Sequence, residues 1–242
     1  MSNIFFNMSQ AAGAFVELVY EKNGSDVSRT LATSATFTDV YLGQLPASDQ
    51  TRYIIIVESG GAGGENTDVT TTVTIDGGAA TRDAGEQGTS TSYRMWSAVH
   101  SEQNTTSEYG TVSFSASASR TYSFQVYAVY LPAGSTLGVH DSATDAENTA
   151  TTLSISLDTP TSTSFMFVAS QFRNGESTPS LSYGGTAGIS TDTRIDNGTD
   201  ENGYYGSKEF LTDNTGLTIT MTDGTATQEK AMAGVVYKEV TA

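Results

Sequence analysis

The sequence predicts an all-β protein: two tandem β-sandwich units of the jelly-roll or immunoglobulin-like kind, related by internal duplication and preceded by an N-terminal arm or strand. Three observations carry this. Apolar residues recur at every second position in one run after another, the period of a half-buried strand. The composition, with 24 Gly, only 4 Pro and abundant Thr and Ser, suits short strands joined by many turns. The clearest strand pair, 111–131 (TVSFSASASRTYSFQVYAVYL), has a looser echo at Leu217–Tyr237, so each half closes in the same way.

At 242 residues the chain has room for two units of about 100 residues, each able to bury a core. The 12 Tyr and 10 Phe are spread through alternating runs, which argues against disorder. Acidic residues outnumber basic ones by 27 to 11, giving a net charge of −16. That balance argues against a nucleic-acid partner and against an anionic membrane surface, both of which call for Lys and Arg. It is read instead as a device for solubility. With no Cys, disulfides and thiolate metal sites are excluded. No basic-then-apolar leader and no run of about 20 apolar residues is present, so the expected setting is the cell interior or a particle assembled there.

Residues 1–34 hold an apolar knot, Ile4-Phe5-Phe6, and the run Ala14–Tyr20 (AFVELVY). Met8, Ala12, Phe15 and Val19 also fit a helical spacing. The Val and aromatic content and the turn Lys22-Asn23-Gly24-Ser25 favour a strand. As a strand the segment would cover the first unit. As an arm it would dock on a neighbouring subunit, with Phe5, Phe6 and Phe15 as contacts.

The first unit is placed at 35–132. Ala35–Leu42 alternates through Phe37, Val40 and Leu42, and Leu45–Asp49 is a loop. Arg52–Val57 (RYIIIV) is apolar on both faces, as in a central strand. Gly60–Gly64 reads as a flexible loop; no Gly-Lys-Ser/Thr follows it and no helix pattern starts there, which argues against a phosphate cradle. Thr70–Ile75 is a strand turned by Asp76-Gly77-Gly78, and Tyr93–Val99 is a strand holding the single Trp, Trp96. In the closing stretch Val112, Phe114, Ala116 and Ala118 alternate with Ser. Arg120-Thr121 turns or bends the chain, and Tyr122, Phe124, Val126, Ala128 and Tyr130 share one face. From Val126 onward the other face is apolar too. Tyr127, Val129 and Leu131 therefore need a cover, either a second sheet or a neighbouring subunit.

Residues 133–149 read as a polar connector with one short strand at Thr136–His140, and 150–242 as the second unit. There Leu153, Ile155 and Leu157 match the Phe37 strand, and Phe165–Ala169 matches Tyr53–Val57. Ser180–Tyr183 with Gly184-Gly185 matches Val73–Ile75 with Gly77-Gly78. Tyr204–Leu211 takes the place of the Trp96 strand.

No motif assembles a reaction centre. His100 and His140 lack metal-ligand spacing, and no Gly-x-Ser-x-Gly elbow occurs. The expectation is no enzyme and no cofactor. The best ligand stretch is Asp192–Gly203, where Asp196, Asp200 and Asn202 offer oxygens for Ca²⁺. Their spacing departs from that of an EF-hand, and a solvated acidic hairpin is the preferred reading. Trp96, Tyr204 and Tyr205 are candidates for stacking on a surface glycan, with packing in the core as the plainer role.

Several segments resemble a family of repeat-containing β proteins of tailed bacteriophages and prophage-like elements. They are Val40-Tyr41-Leu42-Gly43, the Arg-led strand Arg52–Val57, the hairpin from Val73 through Gly77-Gly78 to Thr81, Val112–Arg120, and Leu153–Pro160 (LSISLDTP). The similarity spans about residues 35–240 in order and rests on turn and strand signatures, with Asp76 standing where the family has Gly. It implies a virion structural protein assembled in the host bacterial cytoplasm: a capsid decoration or head-fibre component, or a tail or baseplate accessory. Its expected partners are other virion proteins on a symmetric lattice or further copies of itself. A carbohydrate-binding module for host recognition is the alternative.

Overall fold

A computed structural model describes residues 15–20, 27–63, 71–88, 93–103, 107–148, 150–173, 183–198, 201–222 and 229–241. Every element among them is a strand, and no helix there is long and apolar enough to cross a membrane. The first half contributes β1 (Phe15–Tyr20), β2 (Val27–Tyr41), β3 (Gln50–Gly63), β4 (Thr71–Ile75), β5 (Gly78–Ala79), β6 (Thr81–Gln87), β7 (Tyr93–Gln103) and β8 (Tyr109–Pro132). The second contributes β9 (Ser135–Glu147), β10 (Thr152–Thr159), β11 (Ser164–Arg173), β12 (Thr193–Gly198), β13 (Glu201–Phe210), β14 (Asn214–Thr222) and β15 (Lys230–Thr241).

The 24-residue β8 is the spine of the first half. On one side β2 pairs along it from Tyr109 to Ser123, and β1 continues from Val126 to Tyr130. On the other side β4 pairs with its first part and β3 with its last. A straight strand rises about 3.3 Å per residue, which would put Phe114 and Tyr122 roughly 26 Å apart. Their rings lie 5.5 Å apart, and those of Phe114 and Phe124 lie 5.2 Å apart. The strand therefore folds over at Arg120-Thr121, and the sheet closes on its own apolar face. Val112 and Phe114 from one limb meet Tyr122, Phe124, Val126, Ala128 and Tyr130 from the other, together with Ile54, Ile56, Val73 and Ile75. Each of the larger side chains buried there contributes about 1.5–3 kcal/mol.

The fold-over explains a departure from the sequence reading. Gly60–Gly63 is the end of β3 and no loop. A Cβ at Gly60 would run into the Thr121 carbonyl oxygen, so glycine lets β3 lie against the β8 corner. The Thr121 hydroxyl then holds Gly61 at both its N–H (2.9 Å) and its carbonyl (3.2 Å).

The second half contains a five-stranded antiparallel sheet, β12-β13-β11-β15-β9, and a two-stranded ladder, β10-β14. In the first half β6-β7-β3-β8-β1 are neighbours in the same relation, so the same order of pairings occurs twice. The β2-β8 and β4-β8 ladders have counterparts in β10-β14 and in the Gly184–Thr220 bridge. Leu153, Ile155, Leu157, Ile219 and Met221 of the ladder pack on Met166, Val168, Met232 and Val236 of the five-stranded sheet.

Within 133–149 the strand is longer than the short one expected at Thr136–His140. The run Ser135–Glu147 is strand β9, paired with β15 from Thr136↔Val240 to Glu147↔Lys230. Its low hydrophobicity has a physical reason: as a sheet edge it needs backbone pairing on one side only. Two of its carboxylates close the seam to the neighbouring layer. Asp145 accepts from the Ser154 N–H and Asp141 from the Asp158 N–H, each at 2.7 Å, so outward-facing amides of β10 are occupied. Limited proteolysis is therefore expected to spare 135–147; rapid cutting there under native conditions would contradict this pairing.

Candidate functional site

Among the described residues two clusters of buried polar side chains bear on the candidate site residues, one inside the first half and one between the halves. In the first half the alternation Ile54, Ile56, Glu58 along β3 puts a carboxylate on the apolar face. Glu58 and its partners His100 and Arg120 are all buried. One Glu58 oxygen accepts from the Arg120 guanidinium at 2.5 Å, and the other lies 3.1 Å from His100 Nε2. Burial pulls Arg120 below its ordinary pKa, and the Glu58 charge opposes that shift. The Trp96 ring lies 5.2 Å from both the Arg120 and the Arg82 guanidinium carbons, and Arg120 also lies 5.0 Å from the Tyr122 ring. Burial, partly offset by Arg120, raises the Tyr122 hydroxyl to about 12. The group is a closed ionic knot at the β8 corner, with both Glu58 oxygens engaged.

Between the halves, the face of the first sheet that carries Ile55, Val57, Val99, Tyr127, Val129 and Leu131 packs on Phe165, Phe167, Ala169, Tyr205, Val235 and Tyr237. The Tyr127 and Phe167 rings lie 5.0 Å apart. Three tyrosine hydroxyls tie this layer. Tyr205 meets Ser59 and Ser123, the latter at 2.6 Å. Tyr237 donates to Asp83 at 2.5 Å, and Tyr127 to Asp192 at 2.9 Å. Ser97 adds a bond to the Ala231 carbonyl at 3.0 Å. Desolvation is the first cause that holds all three tyrosines well above their ordinary pKa, so each remains a donor. Gly203 is required here, since a Cβ would strike the Ser59 and Tyr205 hydroxyls.

These positions redistribute the residues singled out by sequence. Tyr127, Val129 and Leu131 do have a cover, and it is the second half of the same chain, which leaves them no surface for another subunit. Trp96 is 7% exposed and held by two guanidinium groups, while Tyr204 and Tyr205 are 1% and 0% exposed. None of the three presents a ring face to a glycan. Within the stretch from Asp192 to Gly203, β12 pairs antiparallel with the start of β13, with Asp196 opposite Asn202, and the Asn202 side chain is buried. Asp200, Phe5 and Phe6 lie outside the described residues, as do the side chains of Asp196 and Phe15. Among the described residues no three His, Cys, Asp or Glu side chains form a metal-holding group. Phe15 itself begins β1, opposite Tyr130, so the run after it joins the sheet of the first half as a strand.

Sequence reasoning missed the knot, although it left a signal. Glu58 continues the alternation of a strand apolar on both faces, and Arg120 interrupts an equally regular strand. Two opposite charges in such positions require each other. Asp83 and Asp192 carry no comparable mark.

Among the described acidic groups, Glu102 and Glu209 are both held above their ordinary pKa by burial, which makes stability depend on pH. Glu102 is pushed above the usual carboxylate value of 4.5, first by burial and then by the Asp76 charge. The folded protein therefore holds this proton more tightly than the unfolded chain. Its contribution is complete below 4.5 and is lost as pH rises through the folded value. Glu102→Gln is expected to raise the melting temperature at pH 7 and leave it nearly unchanged at pH 4. An equal shift at both would count against the assignment.

No family model, curated protein or solved structure matches the chain.

Proposed function

We propose that this protein is a non-enzymatic structural component of a tailed-phage particle that acts by subunit packing, either on the head (capsid decoration or head fibre) or as a tail or baseplate accessory. The resemblance in turn and strand signatures suggests the particle. The observation that carries the structural role is the welded layer between the halves, where apolar faces and three tyrosine hydroxyls join the sheets into one firm body whose outer faces are left to meet its neighbours. Carboxylates that a catalyst would expose, such as Glu58, Asp83 and Asp192, are spent on internal bonds. The repeated order of pairings supports reading the two halves as sandwich units derived by duplication. On this reading the protein is made in the host cytoplasm and joins a symmetric lattice of virion proteins. Mass spectrometry and electron microscopy of purified particles test it: the chain is expected at fixed copy number in a defined density, and its absence from particles overturns the proposal.

A further inference from the structure

The exposed large apolar side chains of the described residues are not scattered. Leu45, Tyr109, Val139, Leu211 and Val240 all lie towards one end of the stack, where β3 and β11 begin and β8, β13 and β15 finish. Within that end one group is held firmly. Tyr109 is 56% exposed and its ring lies 5.1 Å from that of Tyr41; Leu45 is 50% exposed. The backbone beneath them is tied by Arg52, which donates to the carbonyls of Gly43 (2.7 Å), Gln44 (2.9 Å) and Ser107 (2.5 Å), and by the Tyr130 hydroxyl, which donates to Gln44 at 2.9 Å. Side chains on so fixed a base lose little freedom when a partner covers them.

The chain itself carries a fitting occupant. β1 starts at Phe15, opposite Tyr130, the residue that bonds the loop under this patch. Residues 1–14 thus join the body at this end. They include Ile4-Phe5-Phe6 and no charged side chain, in a protein of net charge −16. Two such polyanionic bodies repel each other on direct approach, whereas an uncharged apolar segment bridges them without that penalty. The stretch from Ile4 to Phe15 reaches up to roughly 35–40 Å when extended, enough to cross to a second molecule.

We infer that the Tyr41–Leu45–Tyr109 patch is a docking site for the Ile4-Phe5-Phe6 segment of a second copy of this chain. The inference rests on the packing role above and adds its contact. The two fail separately, since the chain can be found on particles and yet be monomeric in solution.

Light scattering on size-exclusion fractions of the full chain, in about 0.15 M salt and across a concentration series, is the test. The full chain is expected to form dimers or larger species. Phe5→Ser with Phe6→Ser, and separately Leu45→Ser with Tyr109→Ser, are each expected to give monomers with unchanged near-ultraviolet circular dichroism. Mixing the two variants is expected to restore a dimer, because one supplies an intact patch and the other an intact segment. A monomeric full chain overturns the inference, and so do variants that still associate. A monomer that merely melts earlier when Phe5 and Phe6 are replaced also overturns it, since the segment would then be docking on its own body.

Discussion

Glu58→Ala is expected to destabilise the protein by about 3–5 kcal/mol in urea unfolding, among the largest losses available from one side chain. The reason is not that the ion pair is intrinsically strong. Removing Glu58 takes from the buried Arg120 guanidinium and the His100 ring beside it the carboxylate that both contact. Adding Arg120→Met to Glu58→Ala is expected to recover part of the loss, because the apolar side chain no longer needs a counter-charge. A single-variant loss below about 1 kcal/mol would mean that the corner admits water, and would remove the closed-knot description.

Phe167→Ala is expected to cost a further about 3–5 kcal/mol, measured independently. The more informative result is where the loss is read. Phe167 lies in the second half and touches Tyr127 and Tyr237, while the single Trp lies in the first. If the halves unfold as one unit, Trp96 fluorescence and far-ultraviolet circular dichroism will shift together along the denaturant axis. A fluorescence transition that stays in place while the circular dichroism transition shifts would show that the first half stands alone, and that the layer between the halves adds little to it.

Much of this architecture was legible because strand alternation is a local signal. Ile54 and Ile56 against Ile55 and Val57 mark a strand covered on both faces, and both covers are present. Tyr127, Val129 and Leu131 announce a partner without naming it, since alternation gives the face and says nothing of what meets it. The polar strand β9 was legible only at its start, because edge pairing leaves no apolar stripe. Gly60 and Gly61 look like a loop in one dimension; they are strand because Thr121 comes close in three. The site residues fared worst. Trp96, Tyr204 and Tyr205 carry the composition of a sugar platform, and burial alone separates that role from packing. The ionic knot depends on Glu58, His100 and Arg120, positions joined only by the pairings of β3 with β7 and β8.

Strand β9 also bears on how the chain is made. Its partner β15 follows roughly eighty residues later, so at synthesis rates of about 5–20 residues per second the nascent strand waits several seconds with both edges bare. A hydrophobic strand left in that state would recruit another chain. β9 waits as Ser135–Glu147 with Asp141, Asp145 and Glu147 along it, a sequence that like copies on neighbouring ribosomes repel. The same Asp141 and Asp145 later bind the amides of β10. The carboxylates that seal the finished seam are the same ones that give the unpaired strand its negative charge. Neutralising both is expected to lower the soluble yield from cells by more than the stability of the purified protein would account for.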